Sequence, residues 1–194
     1  MGLFGALLIG CGFSASSAWA GYIITLEQVG PNVVATGSGA IDLTGLTFYA
    51  NLGFSPYIQP NIALIWTGAP FSNATAYSGV SGPTSFGTGT GTAPNSASGD
   101  WVGIGAFEGL QRVFVPLGYV SGSPLSDSAT YDSATFDSLG VTPGTYEWSW
   151  GTGQNQNFTL IAVPEPRVGL LLAIGILLLL GLTLRQLRPG SSAA

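Results

Sequence analysis

The sequence lacks the side chains on which most enzyme chemistry depends. Its 194 residues contain no histidine and no lysine, and Cys11 is the only cysteine. A Ser-His-Asp triad, a Cys-His pair, a histidine-ligated metal and a disulfide within the chain are therefore excluded. Charged residues make up 7% of the sequence, against about 25% in an ordinary soluble domain. Aromatic residues make up 11%, so the chain is too apolar to be disordered.

The first 20 residues have the layout of a secretory signal peptide. An apolar run over 3–13 leads into small residues, and Ala18 and Ala20 form the A-x-A pattern of a cleavage site. We therefore expect the mature chain to begin at Gly21. A second interpretation takes the sequence LIGC, which ends at Cys11, as a lipoprotein processing box in which this cysteine carries the lipid.

An uncharged apolar segment of 17 residues, 168–184, lies near the other end of the chain. As a helix it would span about 25 Å, slightly less than the roughly 30 Å hydrocarbon core of a membrane. Arg167 precedes it, and Arg185 and Arg188 follow it, so these long side chains can reach both interfaces. We predict a transmembrane helix over 168–184 whose basic end stays on the cytoplasmic side.

Pro164, Glu165 and Pro166 stand directly before this segment. A Pro-Glu-Pro motif, an apolar helix and a basic end, in that order within 163–194, resemble the PEP-CTERM sorting signal of Gram-negative bacteria. The resemblance implies a transient partner, the membrane-embedded cysteine transpeptidase called an exosortase, which recognises the motif and removes the tail. It also implies an exported protein, anchored in the inner membrane as a precursor and then delivered to the cell surface or extracellular matrix. The alternative is a proline-rich linker before a permanent anchor.

The remaining residues, 21–162, are enough for one folded body. Arg112 against eight carboxylates gives this body a net charge of −7, so nucleic acid and anionic membrane surfaces are poor partners. Short apolar or alternating runs separated by glycine and proline turns predict an all-β fold. We expect a single antiparallel β-sandwich, jelly-roll-like, between the signal peptide and the transmembrane helix.

Several segments of the body carry definite predictions. Residues 58–66 are apolar on both faces and favour a central strand, whereas the Gly/Ser/Thr-rich segment 82–99 favours a loop. Residues 145–150 alternate between apolar and polar, and we expect them to pair with a strand over 156–162. One helical turn is predicted at 135–139, with a threonine at its start and a glycine after its end.

Five stretches of the body, one of them the SGD at 98–100, also resemble a recurring group of exported PEP-CTERM proteins. The other four are GSGAIDLTGLTF at 37–48, GPTSFGTG at 82–89, VPLGYVSG at 115–122 and SLGVTPGTYEWSWGTG at 138–153. That group has no established enzymatic activity. The resemblance therefore supports an exported domain without catalysis.

Carboxylates and tryptophans are the remaining candidates for chemistry. A glycosidase needs only an acid and a base or nucleophile, and the acids that lie near tryptophans in the sequence are Asp100, Glu108 and Glu147. A carbohydrate-binding module would need exposed aromatic rings, for which the candidates are Trp66, Trp101, Trp148 and Trp150. Acids in turns are usually solvated and alternating aromatics usually pack in a core, so catalysis is the weaker interpretation.

A calcium site is the last alternative. Asp127, Asp132 and Asp137 recur every five residues, which does not match the alternating ligands of a calcium loop. We therefore expect no catalytic residue, no metal and no cofactor. The sequence predicts a structural protein of the cell surface or of a biofilm matrix, with a carbohydrate-binding module for exopolysaccharide as the alternative.

Overall fold

Two six-stranded β-sheets form the part of the chain that the structure, a computed structural model, describes, residues 21–164. The strands are β1 (Tyr22–Val29), β2 (Asn32–Ala40), β3 (Thr47–Phe54), β4 (Tyr57–Gln59), β5 (Leu64–Thr67), β6 (Ser72–Ser78), β7 (Ser96–Gly99), β8 (Val102–Phe107), β9 (Leu110–Pro116), β10 (Pro124–Tyr131), β11 (Gly144–Ser149) and β12 (Asn157–Val163). A 3₁₀ turn at Pro60–Ile62 and the short helix α1 (Phe136–Leu139) are the helical elements of this region.

The strand order is β11-β12-β1-β2-β10-β7 in the first sheet and β3-β6-β9-β8-β5-β4 in the second. Among the described strands every pairing is antiparallel except that of β1 with β12. The prediction of a wholly antiparallel fold is therefore wrong at this one pairing. Because β1 begins the domain and β12 ends it, the rest of the domain serves as the long crossover that parallel strands require.

Inward-facing side chains of both sheets form one core. In β1, Tyr22, Ile24 and Leu26 are fully buried, and Val102 and Ile104 of β8 in the other sheet belong to the same cluster. The alternation of buried and less buried residues along β1 follows from the two-residue period of a strand. The two sheets thus pack face to face, and the predicted all-β sandwich is confirmed.

The predicted central strand over 58–66 is wrong, because the chain reverses direction within it. Pro60 begins the 3₁₀ turn, and Ala63 takes the left-handed conformation with φ 56° while its N–H donates to the Pro60 carbonyl. This turn joins β4 and β5 into a hairpin. A proline has no N–H for the sheet, which explains why the strand ends there.

Other local predictions have mixed outcomes. The pairing of β11 with β12 is confirmed, and so is the turn of α1, which Thr135 caps through its side chain and Gly140 ends at φ 64°. The loop prediction for 82–99 is wrong for its last four residues, which form β7. The strands β6 and β10 were not predicted.

The predicted signal peptide over 1–20 and transmembrane helix over 168–184 lie outside the described residues. Within residues 21–164, no helix has the length and apolar character needed to cross a membrane.

Candidate functional site

A second apolar cluster covers the face of the second sheet that points away from the first sheet. Residues that alternate along one strand divide between the two clusters: Val113 and Val115 of β9 face the core, whereas Phe114 faces outward. We call the outward rings the aromatic layer; its members are Phe54, Trp66, Trp101, Phe107 and Phe114. The second sheet is therefore apolar on both faces.

The rings of the aromatic layer pack closely on one another. Phe54 stacks on Trp66 with ring centroids 4.7 Å apart, and Trp101 meets Phe114 edge-on at 5.9 Å. A β-carbon at Gly103 would overlap the Trp66 ring, so the absence of a side chain there makes room for the indole. These ring geometries are the favourable ones for aromatic pairs. The layer is a packed surface with little free ring area.

Arg112, the only cation of the body, lies at one side of this layer. Its side chain is 2% exposed, and its guanidinium carbon lies 3.8 Å from the centroid of the Tyr49 ring and 5.6 Å from that of Phe107. Nε and Nη1 have no hydrogen-bond partner among the described residues. The Tyr49 hydroxyl donates to Glu108. The positive charge is thus held by ring faces, through cation–π contacts.

A buried carboxyl group lies in the core between the two sheets. The alternation of β10 turns Leu125, Asp127, Ala129 and Tyr131 inward, and Asp127 is only 6% exposed. The Tyr22 hydroxyl donates to Oδ2 of this carboxylate, while Oδ1 has no partner among the described residues. The core therefore contains an acid that is only partly satisfied.

Burial raises the pKa of Asp127 to about 6; the hydroxyl groups of Tyr22 and Thr67 act in the opposite direction, and the nearby charge of Asp100 adds a smaller increase. The pKa of the Tyr22 hydroxyl is raised as well, first by burial and then by the charge of Asp127. Both shifts favour the neutral form, because a charge in a low-dielectric core loses its hydration.

The space for this pair depends on Gly37, which faces Asp127 across the pairing of β2 with β10. A β-carbon at this position would overlap both the Tyr22 hydroxyl and the Asp127 carboxylate. A carboxyl group with a pKa near 6 has the right acidity for general acid–base chemistry. Because the group is only 6% exposed, its titration bears on the stability of the fold.

The three carboxylates considered for a glycosidase do not face one another. Asp100 precedes β8 and accepts a hydrogen bond of 2.9 Å from the Ser126 N–H. Glu108 follows the same strand, so β8 separates the two by roughly 20 Å. Glu147 lies on β11 in the other sheet and accepts from Asn157 Nδ2 at 3.1 Å. A glycosidase needs its two carboxyl groups within about 5–10 Å, so Asp100 and Glu108 do not form such a pair.

The tryptophans considered for carbohydrate contact are largely enclosed. Trp101 is 2% exposed and Trp148 is fully buried, so neither of these two candidates for carbohydrate contact presents a ring to solvent. Trp148 faces the core because of the alternation of β11, and its Nε1 donates to the Pro83 carbonyl at 2.9 Å. Trp150 is half-buried, packs against the same core, and donates to the Asp42 carbonyl at 2.7 Å.

The three aspartates considered for calcium also point in different directions. Asp127 faces the core, whereas Asp132 and Asp137 are exposed. Within residues 21–164 no group of three or more histidine, cysteine or acidic side chains is arranged to hold a metal ion.

Two predicted processing residues lie at the ends of the described region. The Gly21 N–H donates to Asn157 Oδ1 at 2.8 Å, which ties the start of β1 to β12. Pro164 is exposed and directly follows β12. The other predicted processing and anchoring residues lie outside the described residues: Ala18, Ala20, Glu165, Pro166, Arg185 and Arg188.

Sequence reasoning missed the contact between Tyr22 and Asp127 and the position of Arg112. Since β10 has small and polar residues between Leu125 and Tyr131, its strand signal is weak, but the two-residue period would have placed Asp127 on the same face as these two apolar residues. A comparison with protein-family models, curated proteins and solved structures found no match to this chain.

Proposed function

We propose that this chain is an exported structural protein of the cell surface or extracellular matrix, sorted and trimmed by an exosortase. In this proposal residues 1–20 direct export, and the helix over 168–184 anchors the precursor in the inner membrane. The observation that carries the proposal is the order Pro-Glu-Pro, apolar segment, arginines at the end of a β-domain. The trimmed domain then acts in an exopolysaccharide-rich matrix.

The position of the motif relative to the domain supports this proposal. The last strand ends at Val163, and Pro164 is the next residue and exposed. The first residue of the motif, Pro164, therefore lies just after the last described strand. Two prolines fix their backbone angles and favour an extended segment, which is a form that a membrane-embedded enzyme can bind.

The domain itself supports a structural role. Asp100 and Glu108 lie at opposite ends of β8, and the one carboxyl group with a strongly shifted pKa, Asp127, is enclosed in the core. Since Trp101 and Trp148 are buried, no observation favours the carbohydrate-binding module over the structural protein.

The experiment is an immunoblot of the full chain expressed in a host with an exosortase and in the same host without it. We expect Glu165→Ala to leave the precursor at full length, because this residue is part of the motif that the exosortase recognises. The substitution lies outside the bilayer, so it should hardly change the insertion of the helix. Glu147→Ala, an exposed acid on β11, is the matched control and should be trimmed like the wild type. Replacement of Arg185 and Arg188 by alanine should impair membrane retention. Trimming of Glu165→Ala at the wild-type rate would contradict the proposal.

A further inference from the structure

The α-amino group is the only primary amine of the chain, because the sequence contains no lysine. After the predicted cleavage behind Ala20 this amine belongs to Gly21, which directly precedes β1. The surroundings of Gly21 therefore decide what the amine can contact once residues 1–20 are removed.

Gly21 is buried between two neighbouring strands. A β-carbon on Gly21 would overlap the carbonyl oxygen of Asn157, at the start of β12, and a β-carbon on Gly39 of β2 would overlap the carbonyl oxygen of Gly21. Such close approach of backbone to backbone is what glycine permits and other residues do not. The nitrogen of Gly21 is thus held in a closed place between β12 and β2.

Asn157 binds this nitrogen through its side chain. The Gly21 nitrogen donates to Asn157 Oδ1 at 2.8 Å, and the other end of the same amide, Nδ2, donates to Glu147 Oε1 at 3.1 Å. The carboxylate can only accept, so it keeps the NH₂ of the amide on its own side and the amide oxygen toward Gly21. The acceptor is therefore already oriented toward the position of the amine.

The charged groups near this place are acids. Glu147 is bonded to the asparagine, and Asp42 accepts a hydrogen bond of 3.1 Å from Nε2 of Gln156, the residue before it. Asp127 accepts from the hydroxyl of the residue that follows Gly21. The two strands that enclose Gly21, β12 and β2, contain no charged residue. A positive group at Gly21 would therefore be attracted by its surroundings.

We propose that this place binds the α-ammonium group of the processed chain, with Asn157 as the acceptor and Glu147 as the residue that positions it. While residues 1–20 are attached, the Gly21 nitrogen is a neutral amide. Their removal makes it an ammonium group, and a hydrogen bond from a charged donor is roughly twice as strong as one from a neutral donor. Cleavage thus strengthens the contact between β1 and β12 and shields the only primary amine of the chain.

This inference rests on the proposed export, because it requires cleavage after Ala20. The intact mass of the chain, purified from an exporting host without an exosortase, tests that step by itself. A different first residue would overturn the inference together with the predicted cleavage. A chain that begins at Gly21 but has a freely reactive amine would overturn the inference alone.

The test is acetylation of the processed chain in detergent with an N-hydroxysuccinimide ester, followed by mass spectrometry. Since lysine is absent, one acetyl group per chain reports the α-amino group. Only the neutral amine attacks the ester, and a pKa raised by one unit lowers the neutral fraction about tenfold at pH 7. We therefore expect the folded chain to react about tenfold more slowly, or slower still, than the same chain unfolded in urea.

Variants of the acceptor separate this binding from simple enclosure. Asn157→Ala removes the acceptor and should bring the rate close to that of the unfolded chain. Asn157→Asp puts a negative charge beside the amine, which raises its pKa, so acetylation should be slower than in the wild type. Thr159→Ala, two residues further along β12, is the matched control and should react like the wild type.

Circular dichroism of each variant shows whether it is folded. Equal rates for the wild type and a folded Asn157→Ala chain would overturn the inference, because enclosure alone would then explain the slow reaction. An Asn157→Asp rate equal to or above that of the wild type would overturn it as well, and this comparison stands even where Asn157→Ala does not fold.

Discussion

Replacing Asp127 by asparagine should stabilise the domain at neutral pH. The carboxyl group is 6% exposed, and its pKa rises from 3.8 to about 6 on folding, chiefly because burial disfavours the charge. Each pH unit corresponds to about 1.4 kcal/mol, so the difference is about 3 kcal/mol. Asparagine has nearly the same shape and carries no charge, and its side-chain oxygen can still accept the hydrogen bond from Tyr22.

The sign of the pH dependence follows from proton binding. Between pH 4 and 6 the folded chain holds the proton on Asp127 more tightly than the unfolded chain does. The stabilisation that this group contributes is therefore complete below its unfolded pKa and is lost as the pH rises to about 6. At pH 7 the wild-type free energy of unfolding is lower by about 3 kcal/mol than it would be with the group neutral.

The assay is urea unfolding of the full chain in detergent, followed by tryptophan fluorescence, at pH values from 4 to 8. We expect the Asp127→Asn curve to lack the fall in stability between pH 4 and 6 that the wild type shows. Asp132→Asn, which changes an exposed acid, is the control and should keep that fall. An Asp127→Asn protein that is less stable than the wild type at pH 7, or equally pH-dependent, would refute the reasoning.

Three further substitutions test neighbouring contacts by the same unfolding measurement. Tyr22→Phe removes the donor to Asp127 and should destabilise by about 2 kcal/mol at pH 7 and by less at pH 4, where the acid is neutral; equal losses at both pH values would count against this bond. Gly37→Ala should lower stability by about 1–3 kcal/mol or more, because its β-carbon overlaps that pair; an unchanged midpoint would disagree. Arg112→Met keeps the packing on Tyr49 but removes two unpartnered donors, so stability should be unchanged or higher; a loss above about 2 kcal/mol would argue for a net favourable cation–π contact.

Much of the fold could be predicted from local patterns. The strands β11 and β12 pair as predicted, and α1 is capped by the predicted threonine and glycine, because strand alternation and helix capping depend on residues close together in the sequence. The hairpin of β4 and β5 was missed because apolar residues on both faces mask a turn. Only Pro60 marked it, and the left-handed Ala63 has no signal of its own.

The candidate site could be predicted far less well. The burial of Asp127 depends on which sheet lies opposite, and that of Trp101 depends on which rings pack around it on the outer face of the second sheet. Both depend on topology, which spacing does not reveal. Trp101 lies beside Asp100 in the sequence, which is why the pair resembled a sugar site, yet the ring packs against Phe114 and the acid binds the Ser126 backbone. Neighbours in sequence at the start of a strand have side chains on opposite faces.

The parallel pairing of β1 with β12 has a mechanical consequence. Tyr22 pairs with Phe158 and Glu27 with Val163, so the chain reaches this pair at one end and leaves it at the other, roughly 17 Å away. A pull on the two chain ends, such as flow exerts on a tethered domain, slides these strands along one another. All their hydrogen bonds then bear the load at once and do not open one after another as in an unzipped hairpin. We therefore expect forced unfolding of this domain to need a high force when it is pulled by its two ends.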